Sequence, residues 1–442
     1  MSAISKVPRL SLFPQTSDVD SQSHLLIGGC DTVELAAEFG TPVYIFDEFT
    51  LRQKCADFVA QFSQRYSDTL VIYACKAFIN RALALIFKEE GLGLDVVSGG
   101  ELGIAQSVDF PPDKVYFHGN NKTADELSLA LSWGVGRIVV DNFRELSLLS
   151  KSAQEQGVTQ DIMLRLSPGI DPHTHRFTTT GIIDSKFGFP IITGQAEAAL
   201  AEAMLASNLN LIGLHFHLGS PIFEFEPYQQ AIGVVLEFAA EMASRRGFEL
   251  KEFSPGGGFA IEYTLDSHAP SIADYAESIT STLVAGSQRL GLEPPKLILE
   301  PGRGIVGQAG VALYRLGAAK EVPGARCYVS VDGGIADNIR PPLYGARYEA
   351  LVANRALDEE TGQVTIAGKF CESGDILIKD IMLPQISTGD LLAVPACGAY
   401  SLSMASNYNA SLKPAIVMVR EGEARLIRRR ETYQDLMRND LI

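Results

Sequence analysis

Thr69-Leu70-Val71-Ile72-Tyr73-Ala74-Cys75-Lys76-Ala77 is an apolar, β-rich run that closes on a lone lysine. Seven further short runs follow, at residues 93–98, 114–119, 137–141, 161–167, 211–219, 252–259 and 296–302. Amphipathic stretches separate them. After the first run, Ile79, Leu83 and Ile86 recur at helical spacing and the segment stops at Gly91. After the third, Thr123-Ala124-Asp125-Glu126 forms a capping box, and Asn142 and Glu145 repeat that spacing after the fourth. Eight β–α repeats favour an α/β fold with a closed parallel (β/α)8 TIM-like barrel over an open doubly wound sheet. The first turn carries no Gly-x-Gly-x-x-Gly, so a dinucleotide fold has no support.

Beyond about residue 305 the helical periodicity fades. Runs at 311–316, 327–331, 363–366, 391–394 and 415–419 alternate with Gly, Pro and Asp turns. This pattern predicts a C-terminal antiparallel β domain of β-barrel or Greek-key type. Residues 41–46 are also strand-like and are expected to join it. The domains expected are therefore residues 1–47 (a loose arm, then a strand of the β domain), 48–305 (the barrel) and 306–442 (the β domain).

The chain of 442 residues is 46% hydrophobic and 20% charged, which suits a soluble globular protein of two domains. A net charge of −16 argues against nucleic acid and against an anionic membrane as partners. Six scattered cysteines without a Cys-x-x-Cys pair point to a reducing, cytoplasmic setting. The first twenty residues lack a signal-peptide core, although a short transit peptide stays open, and no run reaches membrane-spanning length.

Lysine at the end of a buried strand is costly unless it is paired or used covalently. Desolvation lowers its pKa and frees the amine to attack an aldehyde; alternatively the side chain snorkels into solvent. In a (β/α)8 barrel, active sites lie at the C-terminal strand ends. The unusual residues collect there: Lys76, Asp95, His118-Gly119-Asn120-Asn121, His215-Phe216-His217-Leu218-Gly219-Ser220, Ser254-Pro255-Gly256-Gly257-Gly258 and Glu300-Pro301-Gly302-Arg303. Three glycines after strand seven can turn successive N–H groups around an anion, with Arg303 after strand eight, or they form a flexible turn. Glu300 ends an apolar run and needs a partner, either a protonated pyridine nitrogen or Arg303. His215 and His217 could instead be a metal-ligand pair, with His118 and Asp141 as further ligands of a metal-dependent hydrolase. That alternative leaves Lys76, the glycines and Glu300 unexplained, so no metal is expected. Together these parts describe a site for pyridoxal 5′-phosphate: a lysine for the imine, glycines and arginine for the phosphate, glutamate for the ring nitrogen.

Tyr73-Ala74-Cys75-Lys76-Ala77, His118-Gly119-Asn120-Asn121-Lys122, His217-Leu218-Gly219-Ser220, Gly256-Gly257-Gly258, Glu300-Pro301-Gly302-Arg303 and Cys371-Glu372-Ser373-Gly374-Asp375 occur in this order. From about Thr41 to Tyr408 the chain resembles the fold-type III pyridoxal-phosphate-dependent decarboxylases, and among them the branch that converts meso-2,6-diaminopimelate to L-lysine and CO2. The resemblance implies that Lys76 binds the cofactor covalently and that Cys371 is the proton donor. It implies cofactor contacts for Asp95, His217, Ser220, Gly256, Gly257, Gly258, Glu300, Gly302, Arg303 and Tyr400. Arg303, Arg340, Tyr344 and Tyr400 would border the substrate, with Glu372 taking its distal ammonium. It further implies a homodimer with shared active sites. Decarboxylases of ornithine, arginine or carboxynorspermidine remain the nearest alternative, although the ornithine type carries Cys-Asp-Gly where this chain has Cys371-Glu372-Ser373. A catalytically silent homologue that binds a partner protein is a further alternative, opposed by the intact Lys76 and Cys371. Phe78, Ala336 and the pair Arg347-Tyr348 depart from the family pattern, in which a tyrosine–histidine pair is common at the last position. The segment from Arg176-Phe177-Thr178 to Ser185-Lys186-Phe187-Gly188 matches the family's loop after strand five.

Overall fold

The computed structural model describes residues 7–171, 179–181 and 184–442; Arg176-Phe177-Thr178 of the strand-five loop therefore lie outside the described residues. The chain divides into two compact units. One holds residues 55–260 and 269–302; the other holds the described residues up to Lys54, with Ile261–His268 and Arg303–Ile442.

The first unit is the closed barrel. Its eight parallel strands are β1 (Thr69–Ala74), β2 (Gly93–Val96), β3 (Val115–Phe117), β4 (Arg137–Val140), β5 (Gln160–Ser167), β6 (Leu209–His215), β7 (Glu252–Ser254) and β8 (Lys296–Leu299). Each pairs with the next, and β8 pairs back onto β1, with Leu297 opposite Thr69 and Leu299 opposite Val71. Ile72, Tyr116, Val139, Met163 and Ile298 fill the interior. Tyr73 points the other way and stacks on Phe87, ring centres 3.9 Å apart, in the helix Arg81–Glu89. This is the alternation that a strand imposes. Glu252 closes the barrel floor, accepting from Arg137 at 2.8 and 3.0 Å and from the Tyr116 hydroxyl at 3.1 Å.

The strands end earlier than the apolar runs suggest. Lys76 does not close β1; it sits on a one-turn 3-10 helix, Cys75–Ala77, just beyond it. Gly302 makes that turn possible, since a Cβ there would lie 3.0 and 3.1 Å from the Cβ atoms of Ala77 and Ala74. The Thr123–Glu126 capping box is complete. The Asn142 box is only half formed: Asn142 caps Glu145 N–H, but Glu145 turns to Lys122, 2.8 Å away and almost fully buried. Lys122 also donates to the carbonyls of Gly119 and Val139, which fixes the loop after β3.

The second unit is built on a sheet ordered Ile376–Leu383, Gly362–Ala367, Arg326–Val331, Gly310–Val322, Val43–Asp47, Ala415–Arg420 and Glu423–Arg428, with Leu391–Val394 pairing beside Gly310–Val322. Most neighbours are antiparallel, but two pairs are parallel: Arg326–Val331 with Gly362–Ala367, and Val43–Asp47 with Ala415–Arg420. The sheet is therefore mixed. Val43, Ile45, Val311, Leu313, Val417 and Val419 share one core cluster. The N-terminal arm is not loose from Val7 onward. Leu10 and Phe13 join the same cluster, and residues 18–31 add a three-stranded sheet. Sparse apolar residues hid this, although Val7, Leu10, Phe13, Leu25 and Ile27 are all buried.

Candidate active site

Glu300 follows β8 by one residue and is buried. Its Oε1 accepts from Ser254 Oγ at 2.7 Å, and its Oε2 lies 3.2 Å from His215 Nε2. His118 Nε2 lies 3.7 Å from the same carboxylate and 3.8 Å from Asp95. Burial alone would raise the Glu300 pKa, yet these neighbours hold it well below the usual carboxylate range. Burial pushes the His118 and His215 pKa values down, and the Glu300 charge opposes both shifts. Ser254 O–H donates to Glu300, and His215 Nε2 lies within hydrogen-bond distance of it.

Asp95, at the end of β2, is treated differently. Among the described residues, neither of its carboxylate oxygens has a hydrogen-bond partner. Burial pushes its pKa up to about 8; the Lys76 ammonium opposes the rise, while Glu300 and Glu101 add to it. Glu101 itself is raised to about 7 by burial, against the Val97 N–H it accepts at 2.7 Å and the charge of Lys76.

The glycine run is shaped, not merely flexible. Gly256 and Gly258 have φ of +77° and +109°. A Cβ on Gly257 would lie 2.1 Å from the Glu300 carbonyl, so only glycine fits. Gly257 N–H donates to His217 Nδ1 at 3.3 Å, and its carbonyl accepts from Tyr228 at 2.7 Å. Gly256 N–H donates to Ser254 Oγ at 3.1 Å, so the turn is held at both residues. A pyridoxal phosphate suits these groups: a buried carboxylate for a ring N–H, a close-packed glycine turn that lets a phosphate approach the backbone, and Asp95 and His118 atoms without a hydrogen-bond partner among the described residues, near a lysine.

The alternative metal-ligand set offered by the sequence, His215 and His217 with His118 and Asp141, is not brought together as a set. His118, His215 and Glu300 bring ligand atoms within 4.8 Å of one another, but among the described residues His217 and Asp141 join no such cluster. Asp141 instead faces Arg165 at 3.8 Å.

In the second unit, Arg303 and Arg340 are both buried. Arg303 donates to the Tyr263 hydroxyl at 2.5 Å, and its guanidinium lies 4.9 Å from the Tyr400 ring centre. Arg340 donates to Tyr348 and lies 4.7 Å from the Tyr263 ring centre. Tyr344 contacts Met404. Tyr314 and Tyr44 donate to Asp337, which caps Gly334 N–H and so positions the segment leading to Arg340. Cys371 and Glu372 are exposed. Their loop is fixed by buried Asp375, which accepts from Ile335 and Phe370 N–H, and by Asn409, which accepts from Cys371 N–H.

Sequence reasoning missed Glu101, Arg165 and Tyr263. Arg165 did leave a signal, as a charge between Leu164 and Leu166 in the apolar part of strand β5. Glu101 and Tyr263 left none, because each lies on a segment of ordinary composition.

A closed parallel barrel with a lysine, a buried glutamate and a close-packed glycine turn at its C-terminal rim defines a cofactor-binding barrel enzyme of the pyridoxal-phosphate class. The pyridoxal-binding domain of the pyridoxal-dependent decarboxylases matches residues 50–307. Diaminopimelate decarboxylase of Bacillus subtilis is 45% identical over 426 residues, covering 96% of this chain and 97% of that protein. Two diaminopimelate decarboxylases crystallised with L-lysine superpose closely. The one from M. jannaschii gives a TM-score of 0.91 at 34% identity, covering 97% of this chain and 98% of that one. The one from Helicobacter pylori gives 0.85 at 31%, covering 92% and 98%. The chain belongs to the diaminopimelate decarboxylase family of pyridoxal-phosphate-dependent decarboxylases.

Proposed function

We propose that this chain removes one carboxylate from meso-2,6-diaminopimelate, giving L-lysine and CO2, as a cytoplasmic homodimer with shared active sites. The observation that carries the chemistry is the buried Glu300 carboxylate, which accepts from Ser254 and lies within hydrogen-bond distance of His215. Bound pyridoxal phosphate supplies an electron sink at the α-carbon. Lys76, on the turn just after β1, would hold the cofactor through its side-chain amine. Glu300 keeps the proton on the pyridine nitrogen, which sustains the sink. Gly256, Gly257, Gly258 and Ser220, with Gly302 and Arg303, would hold the phosphate. His217, Asp95 and Tyr400 would contact the rest of the cofactor.

When the C–C bond breaks, its electron pair stays on the α-carbon and CO2 departs. The Cys371 thiol then gives that carbon a proton. Cys371 is exposed within one chain, which suits a role in the site of a second copy. Arg303, Arg340 and Tyr344 clamp the distal carboxylate, and Glu372 takes the distal ammonium. No disulfide joins the cysteines, in keeping with a reducing compartment. Among the described residues, no helix is long and apolar enough to cross a membrane.

The test is to supply purified protein and pyridoxal phosphate with meso-diaminopimelate, ornithine or arginine, and to follow CO2 and the amine product. Lysine from diaminopimelate alone is the expected result. CO2 from one of the others would keep the barrel chemistry and overturn the roles of Arg340, Tyr344 and Glu372.

A further inference from the structure

Five side chains of the second unit form an alternating ladder of rings and guanidiniums: Tyr400, Arg303, Tyr263, Arg340, Tyr348. Successive distances from guanidinium carbon to ring centre are 4.9, 5.7, 4.7 and 5.5 Å. Tyr263 is the middle rung. It touches both arginines, accepts a hydrogen bond from Arg303, and meets the Tyr348 ring edge-on at 5.4 Å. Tyr263 comes from Ile261–His268, the short excursion between β7 and the helix Ile272–Leu290 that packs with the second unit. Asp266 secures that excursion by pairing with Arg347 at 2.9 Å.

Two like charges on one ring repel. A phenol offsets part of that repulsion, because its ring face attracts a cation and its oxygen accepts a hydrogen bond. The Tyr263 ring and hydroxyl thus orient both guanidiniums.

We propose that Tyr263, supported by Tyr348, is a positioning residue that fixes the Arg303–Arg340 pair for the carboxylate at the non-reacting end of the substrate. The inference rests on the diaminopimelate reading above. In this chain Arg347-Tyr348 replace the tyrosine–histidine pair common in the family, and both replacements are used: Arg347 ties down the Tyr263 segment, and Tyr348 gives Arg340 a neutral partner.

The experiment compares wild type, Tyr263→Phe and Tyr263→Leu as holoenzymes. It measures kcat and KM for meso-diaminopimelate, the absorbance of the lysine-bound cofactor, and thermal melting. Removing the ring should raise KM about tenfold or more, with kcat and the cofactor band little changed. Phenylalanine, which keeps the ring and loses the hydrogen bond, should recover part of that loss. Tyr348→Phe should raise KM in the same direction, and it serves as the second variant should Tyr263→Leu fail to fold. Unchanged KM in Tyr263→Phe and Tyr348→Phe would overturn the proposal. So would a loss of the cofactor band without a change in KM, which would place Tyr263 on the phosphate side. A wild type that releases no CO2 from diaminopimelate would instead sink the functional reading, and this inference with it.

Discussion

Asp95 shows how a single carboxyl sets a pH dependence. Burial raises its folded-state pKa to about 8, although Lys76 opposes the shift. The unfolded chain gives up this proton near pH 4, so the folded state holds it over the interval between. Stability of the cofactor-free protein is then greatest below pH 4 as far as this group is concerned, and the contribution is lost as pH climbs to about 8. Asp95→Asn cannot ionise. Its melting temperature should exceed that of wild type by about several degrees at pH 8, and the gap should close toward pH 5. An equal gap at both values would mean that Asp95 is ionised beside Lys76 throughout. At this scale the sequence was most readable where a polar residue broke an apolar run, as at Lys76 and Glu300. It was mute where the partner was distant in the chain: nothing in the residues around Glu300 points to Ser254, 46 positions away.

The elements were legible because buried parallel strands are continuous apolar runs, and eight of them recur between amphipathic stretches. Their ends were not, because the polar rim residues continue each run past its last ladder hydrogen bond. The excursion Ile261–His268 was hidden for another reason: eight residues of mixed composition carry no period. Loop positioning by buried charge was equally hidden. Lys122 and Glu145 lie 23 residues apart, and each looks like an ordinary helix-start residue. Their pair is almost fully buried, and Lys122 donates to three acceptors: the Gly119 carbonyl after β3, the Val139 carbonyl in β4, and Glu145. Lys122→Ala leaves Glu145 charged and unpaired, and should cost about 3–5 kcal/mol in urea unfolding of the barrel. Adding Glu145→Leu should recover much of it, since no buried charge is then stranded. A cost below about 1 kcal/mol would assign the pair no more weight than a surface bridge.

At the scale of the whole molecule, the question is whether one chain makes a complete site. Lys76 sits on the barrel rim, whereas Cys371 lies exposed on a loop fixed by Asp375 and Asn409. An exposed thiol is a poor proton donor to a carbanion, because bulk water competes at the same carbon; covering it with a second copy removes that competition. If each site takes Lys76 from one protomer and Cys371 from the other, two inactive variants can repair each other. Lys76→Ala alone and Cys371→Ala alone should each lose nearly all lysine formation. Mixed, dissociated and reassociated in equal amounts, they should pair at random. About half the dimers are then mixed, and each mixed dimer carries one site with both groups intact. Activity should therefore return to about a quarter of wild type. If both groups serve the same chain's site, every mixed dimer holds two broken sites and nothing returns. The mixture thus separates a shared site from a self-contained one without needing the position of either group in the assembly. It does so with the substrate itself, so a silent result with an active wild type counts against the dimer alone.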